Sequence, residues 1–248
     1  MPDKLTLYMN KLKIVLLLVF IAGKLAAQNT VVAVPPPPPP PPPGNTWQSF
    51  RLGLEVEPIL SWGKAKDNTI TSGGVKFGYG GGIVGDFYFS KNYALNIGLI
   101  FINEGAGITY DSPTVFKISP KVDTFARGTK VNYKLQYVQI PIDFKLKTDQ
   151  VGYLSYYGQF GAMLSASIGT KADFTSPVSS QDLSDAKLSD NINLFNIGLL
   201  IGAGAEYNIS GHTNVLLGLS YVNNFTNFTG KPANAAVNHV SLNIGVFF

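Results

Sequence analysis

Apolar and polar residues alternate along most of the chain from residue 47 onward, and the alternation is clearest at its end. In residues 238–248 one face carries Val240, Leu242, Ile244, Val246 and Phe248, whereas the other face is mostly polar or small. Side chains of a strand point to opposite faces in turn, so the pattern predicts a strand with one apolar face. A soluble domain usually ends in a polar, frayed tail. We therefore expect this strand to close a β-barrel that lies in a membrane.

Seven further segments show the same period of two, and together with the last strand they predict eight strands. In the fourth segment, the apolar positions change from odd numbers (Tyr133, Leu135, Tyr137) to even numbers from Val138 onward. A change of parity within one strand predicts a β-bulge, with which the nearby Pro141 is compatible. The seven segments cover about residues 48–62, 75–89, 93–104, 132–146, 153–168, 194–209 and 215–224.

The connections between these strands alternate in length. Three are short, and four are long and polar, at about residues 63–74, 105–131, 169–193 and 225–237. Short turns on one rim and long loops on the other are typical of outer-membrane barrels, whereas loops this long argue against a compact soluble domain. The predicted fold class is thus an all-β, eight-stranded antiparallel up-and-down transmembrane barrel over residues 47–248. An even strand number places both termini at the short-turn, periplasmic rim.

Aromatic residues at the strand ends are expected to form two girdles at the membrane surfaces. The short-turn girdle would contain Phe87, Phe89, Tyr93, Tyr153, Tyr207 and Phe248, and the long-loop girdle would contain Trp62, Phe77, Tyr133 and Tyr221.

The polar face of the strands distinguishes this barrel from a soluble sandwich or lipocalin-like barrel, which alternates in the same way. It consists mainly of glycine and small residues with isolated charges, which suits a narrow interior better than a solvated surface. Charges removed from water should be paired, so we expect a stabilising interior network. Lining of a small conduit is the alternative, although side chains just fill an eight-stranded barrel. The network would comprise Arg51, Glu55, Glu57, Asp86, Asp143, Lys145 and Glu206.

Residues 1–46 are predicted to precede the barrel as two segments. Residues 1–27 have the basic start, apolar core (14–22) and small residues before a cleavage site that indicate a secretory signal, with Met1 or Met9 as its start. Residues 28–46 form a proline-rich periplasmic linker. The run Pro35–Pro43 favours an extended polyproline II rod, which would act as a stiff spacer or contact an envelope partner.

Composition narrows the possible functions. The chain has 19 basic and 15 acidic residues, but the first 27 hold four lysines and one aspartate, which leaves 15 against 14. The basic excess therefore belongs mainly to the signal, and nucleic-acid binding loses its support. The chain has no cysteine and only His212 and His239, so neither a transition-metal site nor a thiolate site is expected.

Motifs for catalysis or cofactor binding are weak. Residues 80–85 match G-x-G-x-x-G, but no helix pattern follows, so these glycines indicate close packing rather than a dinucleotide site. His239 is predicted to face the interior and to be satisfied by hydrogen bonds. We expect no cofactor and no enzymatic activity.

The segment Tyr137–Lys145 (YVQIPIDFK) resembles a strand motif of the PorT-like outer-membrane β-barrel family of Gram-negative bacteria. The terminal strand Val240–Phe248 resembles the signal read by the barrel-assembly machinery. The resemblance implies an eight-stranded barrel and, for the founding member, a role in secretion or envelope assembly. We expect a non-enzymatic anchor or scaffold in the outer-membrane lipid that binds a partner through Pro35–Pro43 or the long loops. A narrow solute channel is the alternative.

Overall fold

The computed structural model describes residues 48–118, 121–178, 182–188, 192–230 and 233–248. The predicted signal and the proline-rich linker lie outside the described residues. In the described part of the chain, no helix is long and apolar enough to cross a membrane.

Eight long antiparallel strands form the barrel, and four short strands lie in the long connections between them. The barrel strands are β1 (Phe50–Ala65), β3 (Val75–Ser90), β4 (Tyr93–Tyr110), β7 (Thr129–Lys147), β8 (Leu154–Thr175), β10 (Phe195–Ser210), β11 (Thr213–Asn224) and β12 (Ala235–Phe247). The short strands are β2 (Ile70–Ser72), β5 (Thr114–Ile118), β6 (Lys121–Phe125) and β9 (Leu183–Lys187).

The barrel closes by pairing of its first and last strands. Leu54 lies opposite Val246 and Trp62 opposite Asn238, so β12 occupies the edge that β1 would otherwise expose. The remaining neighbours follow in chain order, with β8 paired to β10 across the β9 connection. Closure gives each of the eight barrel strands a hydrogen-bonded neighbour on both sides, which backbone groups require in an environment without water. The predicted eight-stranded antiparallel barrel is confirmed.

The outer face of the barrel is apolar, as a lipid-facing surface must be. Large apolar side chains remain exposed around the wall, among them Leu54 at 54%, Phe160 at 50% and Leu219 at 59%. Such a continuous patch would be unstable in water. Aromatic pairs mark both ends of the wall: Trp62 stacks on Tyr221 at 6.2 Å between ring centroids on the long-loop side, and Phe89 stacks on Tyr93 at 6.3 Å on the short-turn side.

The interpretation of the fourth strand was wrong in detail. Tyr133, Leu135 and Tyr137 point inward and are at most 2% exposed, so Tyr133 does not belong to an outer girdle. The inward face of β7 keeps one parity throughout. The irregularity lies in the partner strand, where β8 shifts register opposite Gln136 and Tyr137 and leaves Ile168 unpaired. The apolar positions change parity because, along β7, the inward residues turn from apolar to polar while the outward residues turn from polar to apolar.

The barrel strands continue beyond the apolar wall on the long-loop side, into segments that were expected to be loops. Strands β4, β7 and β8 extend to Tyr110, Thr129 and Thr175, and the β5–β6 hairpin packs over them. The inside of this extension is a compact aromatic core rather than a polar cavity. Its rings meet edge-on or stacked at 4.5–5.7 Å and belong to Tyr110, Phe116, Phe125, Tyr133, Phe174 and Phe228.

Candidate functional site

Among the described residues, charged side chains form an ion cluster inside the membrane-spanning part of the barrel. Arg51 of β1 lies directly opposite Asp86 of β3 in the strand register, and their side chains meet at 2.7 Å. The same guanidinium holds Glu206 of β10 from across the lumen at 2.9 Å. These side chains are at most 7% exposed, so their charges are stabilised by one another rather than by water.

Two lysines of β7 complete the cluster. Lys145 contacts Glu206 at 2.9 Å and Asp86 at 3.1 Å, and Lys147 contacts Glu206 at 2.5 Å. Asn96 donates a 2.7 Å hydrogen bond to the second Asp86 oxygen. Neither Lys147 nor Asn96 was among the predicted site residues, although Lys147 has the same parity as Lys145 and could have been included on that ground.

An aromatic side chain from the last strand enters this cluster. The ring of Phe247 lies 5.0 Å from the Arg51 guanidinium carbon and 4.5 Å from the Lys145 nitrogen, so it makes cation–π contacts with both. A Cβ at Gly53 would lie 2.8 Å from this ring, which explains why glycine occupies that position. The strand that closes the sheet is thus also joined to the charged interior.

The three remaining predicted carboxylates do not join the cluster. Glu55 and Glu57 accept hydrogen bonds from Asn243 at 2.6 and 3.1 Å, and Gly82 and Gly80 lie opposite them on β3. Asp143 is 1% exposed, and neither of its oxygens has a hydrogen-bond partner among the described residues. These carboxylates line an interior cavity of about 20 Å³, which is room for about one water molecule.

His239 forms a carboxylate–histidine pair near the long-loop end of the lumen. Its Nδ1 lies 2.9 Å from Glu104 Oε2, and both side chains are 1% exposed. His212 instead lies exposed in the turn after β10. The pair resembles part of a catalytic triad, but on its lumen side His239 borders the interior cavity of about 20 Å³, which is too small for a substrate.

Metal binding finds no support in the part of the chain that the structure describes. No three histidine, cysteine, aspartate or glutamate side chains there come together in a way that could hold a metal ion.

The predicted assembly signal lies on the lipid-facing side of β12. Leu242, Ile244, Val246 and Phe248 are 36–49% exposed, and Val240 is half-buried at the long-loop end. Their strand is hydrogen-bonded on both sides, to β1 and to β11.

Comparison with known proteins gives a family match and several structural likenesses. Residues 41–230 match the family described as "Outer membrane protein beta-barrel domain". Neisserial surface protein A is similar in fold (14% identity, 81% of this chain and 96% of that chain, TM-score 0.45). OprG of Pseudomonas aeruginosa is also similar in fold, with 9% identity, coverage of 81% of this chain and 96% of that chain, and a TM-score of 0.44. Ail of Yersinia pestis, solved with the heparin analogue sucrose octasulfate, has 14% identity, coverage of 81% of this chain and 100% of that chain, and a TM-score of 0.40. No curated protein matches.

Proposed function

The chain belongs to the outer membrane protein beta-barrel domain family, and on that premise we propose that it is a non-enzymatic anchor or scaffold of an envelope complex. The family is one of the Gram-negative outer membrane, where such a barrel lies in the lipid bilayer. The PorT-like resemblance of Tyr137–Lys145 agrees with a role in envelope assembly or secretion. In this proposal the long-loop rim faces outward, and the amino-terminus and Pro35–Pro43 lie in the periplasm.

The observation that carries the proposal is the contrast between the filled interior of the barrel and its long-loop rim, where the long connections form additional short strands. Ion pairs and Phe247 occupy the lumen, and the aromatic core around Phe116 covers its long-loop end. Transport and catalysis need open space that this interior does not offer. The accessible polar surface lies instead in the long connections and their short strands, which is where binding of other proteins is expected.

Affinity capture from detergent-solubilised membranes tests this proposal. The intact protein, a form without residues 35–43 and a form with the β5–β6 hairpin (114–125) replaced by a short Gly-Ser linker would be compared. We expect a reproducible envelope partner that is lost with one of the two deletions. Recovery of the intact protein alone, from membranes in which it is correctly inserted, would contradict the proposal.

A further inference from the structure

A groove of about 470 Å³ lies on the outer wall, just beyond the apolar band on the long-loop side. The outward apolar positions end at Phe101 on β4, Val138 on β7 and Ile168 on β8. The next outward residues, Asn103 and Gln136, lie opposite each other, and their amides form a 2.9 Å hydrogen bond. This amide pair is the floor of the groove, and it marks the level at which lipid tails give way to headgroups.

The walls of the groove differ in chemistry. On one side, Phe77 and Tyr79 are 73% and 62% exposed. On the other side, Lys134 bridges Asp173 at 2.8 Å and Asp185 at 3.0 Å. The Asp185 backbone N–H and then Lys134 lower the pKa of Asp173, which lies outside the membrane band, so that this carboxylate stays ionised.

Backbone geometry holds this wall in a strained but defined position. Asp185 has a φ of 52°, a left-handed conformation that is uncommon for a residue other than glycine. The cost is offset by the hydrogen bond from its N–H to Asp173, at 2.9 Å, and by the ion pair with Lys134. Strain of this kind is typically retained where a site must be rigid.

Two further lysines, Lys76 and Lys171, line the groove outside these salt bridges. Neither is within salt-bridge distance of an acid among the described residues, although the charge of Lys76 also contributes to the lowered pKa of Asp173. Lys76 lies over Gly105, where a Cβ would come within 2.9 Å of the Lys76 Cβ. Each carries an ammonium group at headgroup level, and lysine binds phosphate readily as a point charge. The groove therefore combines aromatic faces, amides and two lysines that form no salt bridge among the described residues.

We propose that this groove binds the headgroup of a phosphorylated glycolipid from the surrounding leaflet. The sugar would lie on the amide pair between Tyr79 and the Lys134 cluster, and phosphate would bind Lys76 and Lys171. The site lies at headgroup depth, so a lipid can enter it sideways from the membrane while its acyl chains follow the apolar wall below. This inference rests on the proposed orientation, with the long-loop rim outward.

Binding of lipid A to the folded protein in zwitterionic detergent, followed by native mass spectrometry, tests the proposal. We expect saturable binding that weakens about tenfold or more in the double variant Lys76→Gln, Lys171→Gln, since each lysine near anionic headgroups contributes about 1 kcal/mol. The matched control, Lys130→Gln with Arg127→Gln, removes the same charge from the rim outside the groove and should change affinity less than twofold.

The proposal would be overturned by equal weakening in both double variants, by equal binding of lipid A without its phosphates, or by equal binding of phosphatidylglycerol. A soluble phosphorylated disaccharide should bind more weakly than the lipid, and equal affinity would refute a leaflet ligand. Because lipid A binding is measured on the purified protein without any partner, its failure is separate from failure of the envelope-partner capture.

Discussion

Glu206 is the residue on which the interior ion cluster depends, because three cations share its two oxygens. Arg51 and Lys145 are almost fully buried, and their only other acid partner within the cluster is Asp86. Breaking a buried pair is costly because it leaves a charge without compensation, whereas an exposed pair contributes little. The cluster should therefore determine barrel stability far more than any surface pair.

We predict that Glu206→Gln lowers the free energy of unfolding by about 3 kcal/mol. Guanidinium titration of the protein refolded in lipid vesicles, followed by tryptophan fluorescence, measures it. The control is Asp149→Asn, which removes the exposed turn pair with Lys91 and should cost less than about 1 kcal/mol. Equal midpoints for the Glu206 variant and the unmodified protein would show that the cluster does not stabilise the barrel.

At the scale of the element, strand β12 presents chemically different side chains on its two faces. Phe248 lies on the lipid side, whereas Phe247 lies between Arg51 and Lys145 in the lumen. The backbone of Phe248 also pairs with Leu52, with N–O distances of 2.9 and 3.2 Å in the two directions. Recognition during assembly and stability after assembly should therefore depend on different side chains of the same strand.

We predict that Phe248→Ala slows insertion in cells but leaves the unfolding midpoint of the refolded barrel nearly unchanged. Phe247→Ala should instead lower the free energy of unfolding by about 3 kcal/mol or more, because a buried aromatic ring is lost. Pulse-chase appearance of the heat-modifiable form measures the first effect, and guanidinium titration measures the second.

Deletion of 246–248 should abolish insertion. Normal insertion of that truncation, or the same phenotype for both alanine variants, would contradict this division.

Strand boundaries were predictable from sequence to the extent that lipid dictates the outward residues. In the membrane, every outward position must be apolar, so the alternating apolar residues Leu52, Leu54 and Val56 identify β1 directly. Beyond the apolar band that constraint ends: the outward residues of β7 become Gln136 and Lys134, while the inward residues become Tyr137 and Tyr133. Alternation alone cannot tell which face is inside, and this is why the bulge was placed in the wrong strand.

The contacts between interior side chains were harder to predict than which side chains face the interior. Parity shows that Arg51 and Asp143 face the same lumen. It does not show that Arg51 reaches Glu206 while Asp143 finds no hydrogen-bond partner among the residues that the structure describes. Those contacts depend on the register between strands and on the stagger around the closed sheet, which a single sequence does not encode in any local pattern. The outer groove was missed for the same reason, since its residues come from β3, β4, β7, β8 and β9.

For the whole molecule, the filled lumen makes a narrow channel the less favourable function. A conducting path would have to cross the Lys145–Glu206 ion pairs and then the aromatic core around Tyr110 and Phe116. The interior cavity holds about 20 Å³, which is far below what a continuous column of water requires. Opening such a path would separate buried charges and apolar rings at the same time, at a cost comparable to the total stability of a typical domain.

We predict that the purified barrel gives no stepwise current in planar lipid bilayers across ±100 mV. The control combines Lys145→Ala with Phe247→Ala and deletion of the β5–β6 hairpin, which empties both parts of the lumen; its folded fraction should give brief small-conductance events. Folding of both proteins would be verified by heat-modifiable migration. Regular current steps from the unmodified protein, absent from a mock preparation, would contradict the closed interior and favour the channel over the scaffold. Silence of the unmodified protein beside an active control would instead show that the side chains of the native interior close the barrel.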